Sequence, residues 1–141
     1  MTYVKTEWEN GTTPINADNL NKIENELESL DTSNTYSTTE TAVGTWTDGK
    51  TIYRKVITRT TALPSGSTNI AHGITNLNMI TNFRANYYTA TGSVRSDQYT
   101  NNNYNVFVNN IGDTNVTINV GTGYNNSFTK TIIVLEYTKS T

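Results

Sequence analysis

The sequence predicts a mainly β protein with one short helix near its N-terminus. The 141 residues include 28 Thr, 21 Asn, 9 Tyr and 9 Gly. Thr and Tyr favour pleated, half-buried strands, whereas Asn and Gly favour turns. Apolar residues recur at helical spacing within the stretch Trp8–Leu30, which predicts a helix there. We therefore expect a short helix followed by antiparallel strands.

The helix is predicted to begin after Asn16. Asn is a preferred N-cap residue, and Asp18 places negative charge at the positive end of the helix dipole. The apolar positions follow at intervals of three, four and three residues, as in a coiled-coil seam: Leu20, Ile23, Leu27 and Leu30. Burying these four side chains contributes about 6–12 kcal/mol at most, and each ordered residue costs about 1–2 kcal/mol of backbone entropy. Such a helix is marginal alone, so it must pack on the rest of its own chain or on copies of itself.

Three segments are predicted along the chain. Residues 1–31 form a lead-in and a coiled-coil-like stalk helix, residues 32–41 form a polar linker, and residues 42–141 form a β domain, which we call the head. Turn-forming residues separate eight predicted strands in the head: Val43–Thr47, Thr51–Ile57, Asn69–Ile74, Met79–Ala90, Ser93–Tyr99, Tyr104–Asn109, Asn115–Val120 and Thr129–Thr138. Asp48-Gly49 predicts a two-residue type I′ hairpin loop.

Two apolar patterns in the head predict different strand environments. Val116, Ile118 and Val120 alternate with polar residues, which indicates a strand with one wet face. The run Ile132–Leu135 does not alternate, which indicates a central strand covered on both faces, either within the head or by a neighbouring subunit. About eight short strands at this spacing predict an antiparallel β-sandwich of jelly-roll type.

Composition excludes several classes of partner and site. The net charge is −2 and 16% of the residues are charged, without runs of like charge, so we expect no nucleic-acid partner and no anionic membrane surface. The absence of Cys excludes disulfides and thiolate chemistry. The apolar runs fall far short of the ~20 residues of a spanning helix, and the N-terminus lacks a secretory pattern. We expect no membrane insertion, and synthesis in a cytoplasm.

No catalytic residue, metal ligand or cofactor is predicted, and the chain is not expected to be an enzyme. His72 is the single histidine, so a catalytic triad or a histidine metal site would have to use it. We expect it instead to hold a turn through a backbone hydrogen bond. The alternative is that three copies of it meet on an axis and bind an ion or titrate together.

Saccharide recognition is the chemistry that the head favours. Aromatic faces stack on sugar rings, and Asn and Asp side chains bind hydroxyls. Six candidates lie at or beside predicted loops: Asp97, Tyr99, Asn101, Tyr104, Tyr124 and Asn125. The alternative is that Tyr serves here as an ordinary strand residue and Asn as an ordinary turn residue.

Several stretches together resemble small structural proteins of bacteriophages and prophages of Gram-positive hosts, namely tail-fibre, baseplate or head-fibre proteins. They are WENGTTPINADNLNKIENEL near the N-terminus, then GTWTDGKTIYRK, LPSGS, IAHGI and the final IIVLEYTKST. In that family the first pattern precedes a helix and the others belong to a β-rich C-terminal domain. The usual state is a homotrimer, so the resemblance implies that Leu20, Ile23, Leu27 and Leu30 form the trimer seam.

The resemblance also implies location and partners. It implies a virion protein, made in the bacterial cytoplasm, that contacts other virion proteins through its N-terminal region. Its head is expected to bind the host surface, with a cell-wall saccharide as the ligand. The chain lacks the long coiled-coil or collagen-like repeats of a typical tail fibre. A capsid or baseplate decoration protein without a host ligand therefore remains the alternative.

Overall fold

The computed structural model describes residues 6–33 and 35–140, which belong to two compact units, residues 1–35 and residues 36–141. The first unit contains helix α1, Ala17–Ser33. Asn16 caps this helix as predicted, because its Oδ1 accepts a hydrogen bond from the backbone N–H of Asn19 at 2.9 Å. The helix continues to Ser33, two residues into the segment predicted as a linker.

The apolar residues of α1 form one stripe. Positions three or four residues apart lie on the same face of a helix, so the predicted seam Leu20, Ile23, Leu27 and Leu30 shares one face. The side chains of Leu20, Leu27 and Leu30 are large, apolar and 49%, 55% and 64% exposed. The predicted helix is confirmed, and its apolar face is largely accessible to solvent.

The second unit is built from antiparallel strands, which confirms the mainly β class. Its described residues form β1 Thr41–Thr45, β2 Thr51–Arg59, β3 Gly66–Ala71, β4 Leu77–Thr89, β5 Val94–Ser96, β6 Gln98–Tyr99, β7 Asn105–Ile111, β8 Asn115–Val120 and β9 Phe128–Lys139. One sheet has the strand order β1-β2-β9-β4-β5 and the other has the order β3-β8-β7-β6.

Strand β9 is central in the five-stranded sheet, as its uninterrupted apolar run predicts. It pairs with β2 on one side and with β4 on the other. Ile133 and Leu135 are buried and belong to the hydrophobic core. Val134 points to the opposite face of the sheet and is also buried, because side chains alternate along a strand. Both faces of β9 are therefore covered at this point.

The two sheets contribute to one hydrophobic core. In β8 the alternate residues Val116, Ile118 and Val120 are buried and their neighbours are only partly so, which confirms the predicted pattern. The other buried members of the cluster come from β2, β3, β4, β7, β9 and the connecting loops: Ile57, Leu63, Ile70, Ile74, Ala85, Tyr87, Val106, Phe128, Ile133, Leu135 and Tyr137.

The hairpin between β1 and β2 differs from the predicted type. The Trp46 N–H donates to the Lys50 carbonyl at 2.8 Å, and the Gly49 N–H donates to the Trp46 carbonyl at 2.9 Å. The loop therefore has three residues, 47–49, and within the pair Asp48-Gly49 the positive φ belongs to Gly49, at +85°. The prediction of a two-residue type I′ loop is wrong. A three-residue loop with a single left-handed glycine connects the same two strands.

The strand predicted at Ser93–Tyr99 is two strands in different sheets. β5 pairs with β4, β6 pairs with β7, and Asp97 is the residue between them. The Asp97 Oδ1 accepts hydrogen bonds from the Tyr87 hydroxyl at 2.6 Å and from the Val108 N–H at 3.3 Å. Burial, with Asp97 beside it, raises the pKa of Tyr87, so this hydroxyl stays a donor. The chain passes from one sheet to the other at Asp97, and we call this point the sheet crossing. The side chain of Asp97 connects it to β4 in one sheet and to β7 in the other.

A half-buried carboxylate joins the start of the head to its last strand. Glu40 Oε1 accepts a hydrogen bond from Lys139 Nζ at 2.7 Å, and Oε2 accepts one from the hydroxyl of the buried Tyr137. Burial alone would raise the pKa of Glu40, but the hydrogen bonds from Lys139 and Tyr137 outweigh it and hold that pKa below its ordinary value of 4.5. The charged form of Glu40 is therefore the one that stabilises the fold.

Replacing Glu40 with Gln is expected to lower the free energy of unfolding at neutral pH by about 1.5–3 kcal/mol, the range for hydrogen bonds to charged groups. Because the folded-state pKa is lowered, the stabilisation is complete above pH 4.5 and is lost as the pH falls through the folded-state value. Urea titrations of both proteins at pH 7 and about pH 3 measure this.

The matched control is Asp48→Asn, which removes the charge from an exposed pair with Lys50 and is expected to change stability little at either pH. A difference between wild type and Glu40→Gln that is equally large at both pH values would contradict the electrostatic account.

Candidate functional site

Two loops of the head pack against each other and carry three of the six predicted ligand residues, Asn101, Tyr104 and Tyr124. The 100–104 loop joins β6 to β7, and a 3₁₀ turn, Thr122–Tyr124, lies between β8 and β9. The Gly123 N–H donates to the Asn103 carbonyl at 2.7 Å, and the rings of Tyr104 and Tyr124 meet edge to face with centroids 5.3 Å apart. We call the 100–104 loop, with the rings of Tyr99, Tyr104 and Tyr124, the tyrosine surface.

Two glycines permit this close packing. A Cβ added at Gly121 would lie 2.3 Å from the Asn103 carbonyl oxygen, and one added at Gly123 would lie 2.5 Å from the Tyr104 ring. Neither distance is compatible with a side chain unless the 100–104 loop moves. The Gly121-Thr122-Gly123 segment therefore forms a turn and also provides the surface on which the 100–104 loop packs.

The exposed tyrosines rest on rigid neighbours. Tyr104 packs on Tyr124, and Tyr124 packs in turn on the fully buried Phe128, again with centroids 5.3 Å apart. Tyr99 packs edge to face on Phe107 at 6.3 Å. Tyr104 is 48% exposed and Tyr99 is 66% exposed. Each ring thus has accessible aromatic surface, and its contact with a second aromatic ring holds it in position.

Asn101 shapes the 100–104 loop. Its Oδ1 accepts hydrogen bonds from the N–H groups of Asn103 at 2.9 Å and Tyr104 at 3.0 Å. The Asn105 side chain donates to the carbonyls of Asn101 and Asn102 at 3.0 and 2.9 Å. The side chains of Asn101 and Asn105 thus satisfy backbone groups of this loop, so the loop is preformed.

Two other predicted ligand residues also hold the fold. Asp97 anchors the crossing between the sheets through Tyr87 and Val108. Asn125 accepts a hydrogen bond at its Oδ1 from the Ser65 N–H at 2.9 Å, which connects the loop before β9 to the loop before β3. The structure therefore brings Tyr99, Asn101, Tyr104 and Tyr124 together around one loop pair and uses Asp97 and Asn125 as links to other elements.

Sequence reasoning missed Arg95 and Gln98, which adjoin the tyrosine surface. The Arg95 Cζ lies 5.2 Å from the centroid of the Tyr124 ring, and Arg95 Nη1 donates to Gln98 Oε1 at 3.3 Å. Gln98 Nε2 donates to the Tyr124 hydroxyl at 2.9 Å. Arg95 belongs to β5 and Gln98 to β6, so the sheet crossing brings them to Tyr124. No spacing in the sequence reveals that crossing.

His72 has the hydrogen-bonding role predicted for it. Its Nδ1 accepts a hydrogen bond from the Ile74 N–H at 3.0 Å, and Nε2 donates to the Gly112 carbonyl at 3.0 Å. The ring is 2% exposed. Both ring nitrogens are occupied by the protein's own backbone, so this geometry leaves His72 no nitrogen for an ion on a threefold axis or for a catalytic triad.

Within residues 6–33 and 35–140, no three His, Cys, Asp or Glu side chains are grouped so that they could hold a metal ion. In the same ranges no helix is both long and apolar enough to cross a membrane. Comparisons of the chain with protein-family models, curated proteins and solved structures find no match.

Replacing Gly123 with Ala is expected to lower the free energy of unfolding by about 1–3 kcal/mol, because the added methyl group collides with the Tyr104 ring. Thermal and urea unfolding measure the change. Gly44→Ala is the matched control, since a Cβ at Gly44 would lie 3.9 Å from the Ile52 side chain, an ordinary contact distance. Equal effects of the two substitutions would contradict the proposed packing.

Proposed function

We propose that this protein is a homotrimeric virion appendage protein whose head binds a saccharide of the bacterial cell surface. The proposal combines the resemblance of the N-terminal and head motifs to phage appendage proteins with two features of the molecule. One is the accessible apolar stripe of α1, and the other is the preformed tyrosine surface. The tyrosine surface is the observation that carries the proposed binding activity.

In this proposal α1 forms a short coiled-coil stalk with its counterparts from two other chains. The stripe of Leu20, Ile23, Leu27 and Leu30 supplies the a and d positions of two heptads. Large apolar side chains that are about half exposed or more on a single helix, as Leu20, Leu27 and Leu30 are, are stabilised when copies of that helix bury them together. The two sheets of the head then pack face to face as a β-sandwich of jelly-roll type, with the shared core between them.

The proposed binding is multivalent. Exposed Tyr rings stack on the apolar faces of sugar rings, and a surface of this kind gives weak affinity at each site. Three heads on one stalk engage a repetitive wall polymer together, so the avidity of the trimer exceeds the affinity of one head by as much as about 10²–10⁴. Such binding requires no enclosed pocket and no catalytic group.

A capsid or baseplate decoration protein without a host ligand is the second candidate. One observation favours it: Asp97, Asn101 and Asn125 direct side-chain oxygens to hydrogen bonds within the head. Their hydrogen bonds explain why these residues are present without a role in ligand binding. The two candidates differ in their targets, since a decoration protein binds purified virion components tightly and does not bind host cell walls.

The stalk is tested by the double substitution Ile23→Asp and Leu27→Asp. Two carboxylates in each copy of the seam carry a large desolvation cost, so we expect monomers in sedimentation velocity experiments where the unmodified protein sediments as a trimer. Asn21→Asp with Asn25→Asp is the matched control, because it adds the same charge to exposed positions on the opposite face of α1. A trimer that survives the first pair of substitutions would assign oligomerisation to the head.

The tyrosine surface is tested by Tyr104→Ala in co-sedimentation with purified Gram-positive cell walls. Loss of one stacking ring at each of three sites is expected to reduce binding by at least about tenfold, which corresponds to about 1.4 kcal/mol. Tyr36→Ala is the control, because Tyr36 is also exposed but lies outside the tyrosine surface. Unchanged wall binding by Tyr104→Ala would remove this surface from the proposal.

A further inference from the structure

Among residues 6–33 and 35–140, no carboxylate forms an ion pair with Arg95, which lies at the border of the tyrosine surface. Other cations of the described chain pair with carboxylates, such as Lys50 with Asp48, Arg54 with Glu136, and Lys139 with Glu40. Arg95 contacts the Tyr124 ring and the Gln98 amide oxygen instead. Its side chain is exposed, so its charge is available to a ligand.

The contacts of Arg95 fix its position while leaving most of its donors unused. A guanidinium has five N–H donors, and one of them serves Gln98. Gln98 is itself held by its hydrogen bond to the Tyr124 hydroxyl. A guanidinium that is already oriented loses less conformational entropy when it binds an anion than a free side chain does.

The other charged group beside Arg95 in sequence is Asp97. No oxygen of Asp97 lies within ion-pair distance of Arg95, and Asp97 Oδ1 is engaged by the Tyr87 hydroxyl and the Val108 N–H. The 100–104 loop and the 3₁₀ turn contain only Thr, Asn, Tyr and Gly. Arg95 therefore places a positive charge next to this neutral, aromatic and amide-rich surface.

We propose that Arg95 makes the tyrosine surface selective for an acidic saccharide, with Tyr104 and Tyr124 contacting the sugar and the guanidinium binding its anionic group. Arginine recognises carboxylates and phosphates through parallel N–H···O hydrogen bonds, so the acidic group is a uronic acid carboxylate or a phosphodiester within the polymer. This inference rests on the proposed saccharide-binding function and assigns its specificity to one residue.

The test uses purified cell walls from a panel of Gram-positive bacteria and the full-length protein. Carbodiimide activation followed by borohydride reduction converts wall carboxylates to alcohols, and hydrofluoric acid cleaves phosphodiesters. Binding is measured by co-sedimentation before and after each treatment. We expect one of the two treatments to reduce wild-type binding by about tenfold or more, and the effective treatment identifies the source of the anionic group.

Arg95→Gln is expected to bind untreated walls about tenfold more weakly than wild type and to bind the effectively treated walls as wild type does. A merely structural role for Arg95 would weaken binding to both. Arg95→Lys keeps the positive charge but lacks the planar guanidinium group. Its binding to untreated walls is expected to be weaker than that of wild type and stronger than that of Arg95→Gln. Lys130→Gln is the control, since Lys130 lies 5.8 Å from the Tyr88 ring centroid outside the tyrosine surface and is expected to bind normally.

Two results would overturn this inference in distinguishable ways. Binding that survives both chemical treatments and Arg95→Gln would contradict the acidic specificity while supporting saccharide binding by the head. The absence of binding to any wall would contradict the proposed function and this inference together. Thermal unfolding of each variant verifies that the head is folded in every measurement.

Discussion

The packing of Phe128 under Tyr124 connects the core of the head to its surface. Phe128 is the first residue of β9, the central strand of the five-stranded sheet, and it is completely buried. Tyr124 rests on it, and Tyr104 rests on Tyr124. The exposed ring of Tyr104 therefore derives its position from the same strand that supplies Ile133 and Leu135 to the core. A surface supported in this way is preformed, which limits the entropy lost when a ligand binds.

The same strand is fixed at its other end by charge. Tyr137 and Lys139, near the end of β9, donate to Glu40, which precedes β1. One carboxylate thus joins segments almost a hundred residues apart in sequence, and its lowered pKa shows that the charged form is favoured in the folded head. β9 is therefore held by aromatic packing at its start, by apolar burial in its middle and by hydrogen bonds to a carboxylate at its end.

Local patterns predicted the elements better than their connections. The Asn16 cap, the alternation of Val116, Ile118 and Val120, and the uninterrupted run Ile132–Leu135 are properties of neighbouring residues, and the structure confirms each of them. The crossing at Asp97 was not predictable, because β5 is exposed throughout and β6 has only two residues, so neither strand has an alternation of buried and exposed residues that would assign it to a sheet. For the same reason Arg95, which reaches Tyr124 through that crossing, carries no signal in the sequence.

The candidate site was predictable in part. Tyr and Asn at loops indicated where accessible aromatic and amide groups would lie, and the structure places Tyr99, Asn101, Tyr104 and Tyr124 around one pair of loops. Sequence composition cannot tell an Asn that faces a ligand from one that satisfies a turn, since both uses favour the same positions. The hydrogen bonds of Asn101 and Asn125 are of the second kind, and this distinction required the folded loop.

The proposed function depends most on threefold association, because single heads with weak saccharide contacts would bind without avidity. The mass of the unmodified protein in solution tests this most directly. Multi-angle light scattering over a wide concentration range should give a mass about three times the 15.7 kDa of one chain. A mass of one chain throughout that range would contradict the account.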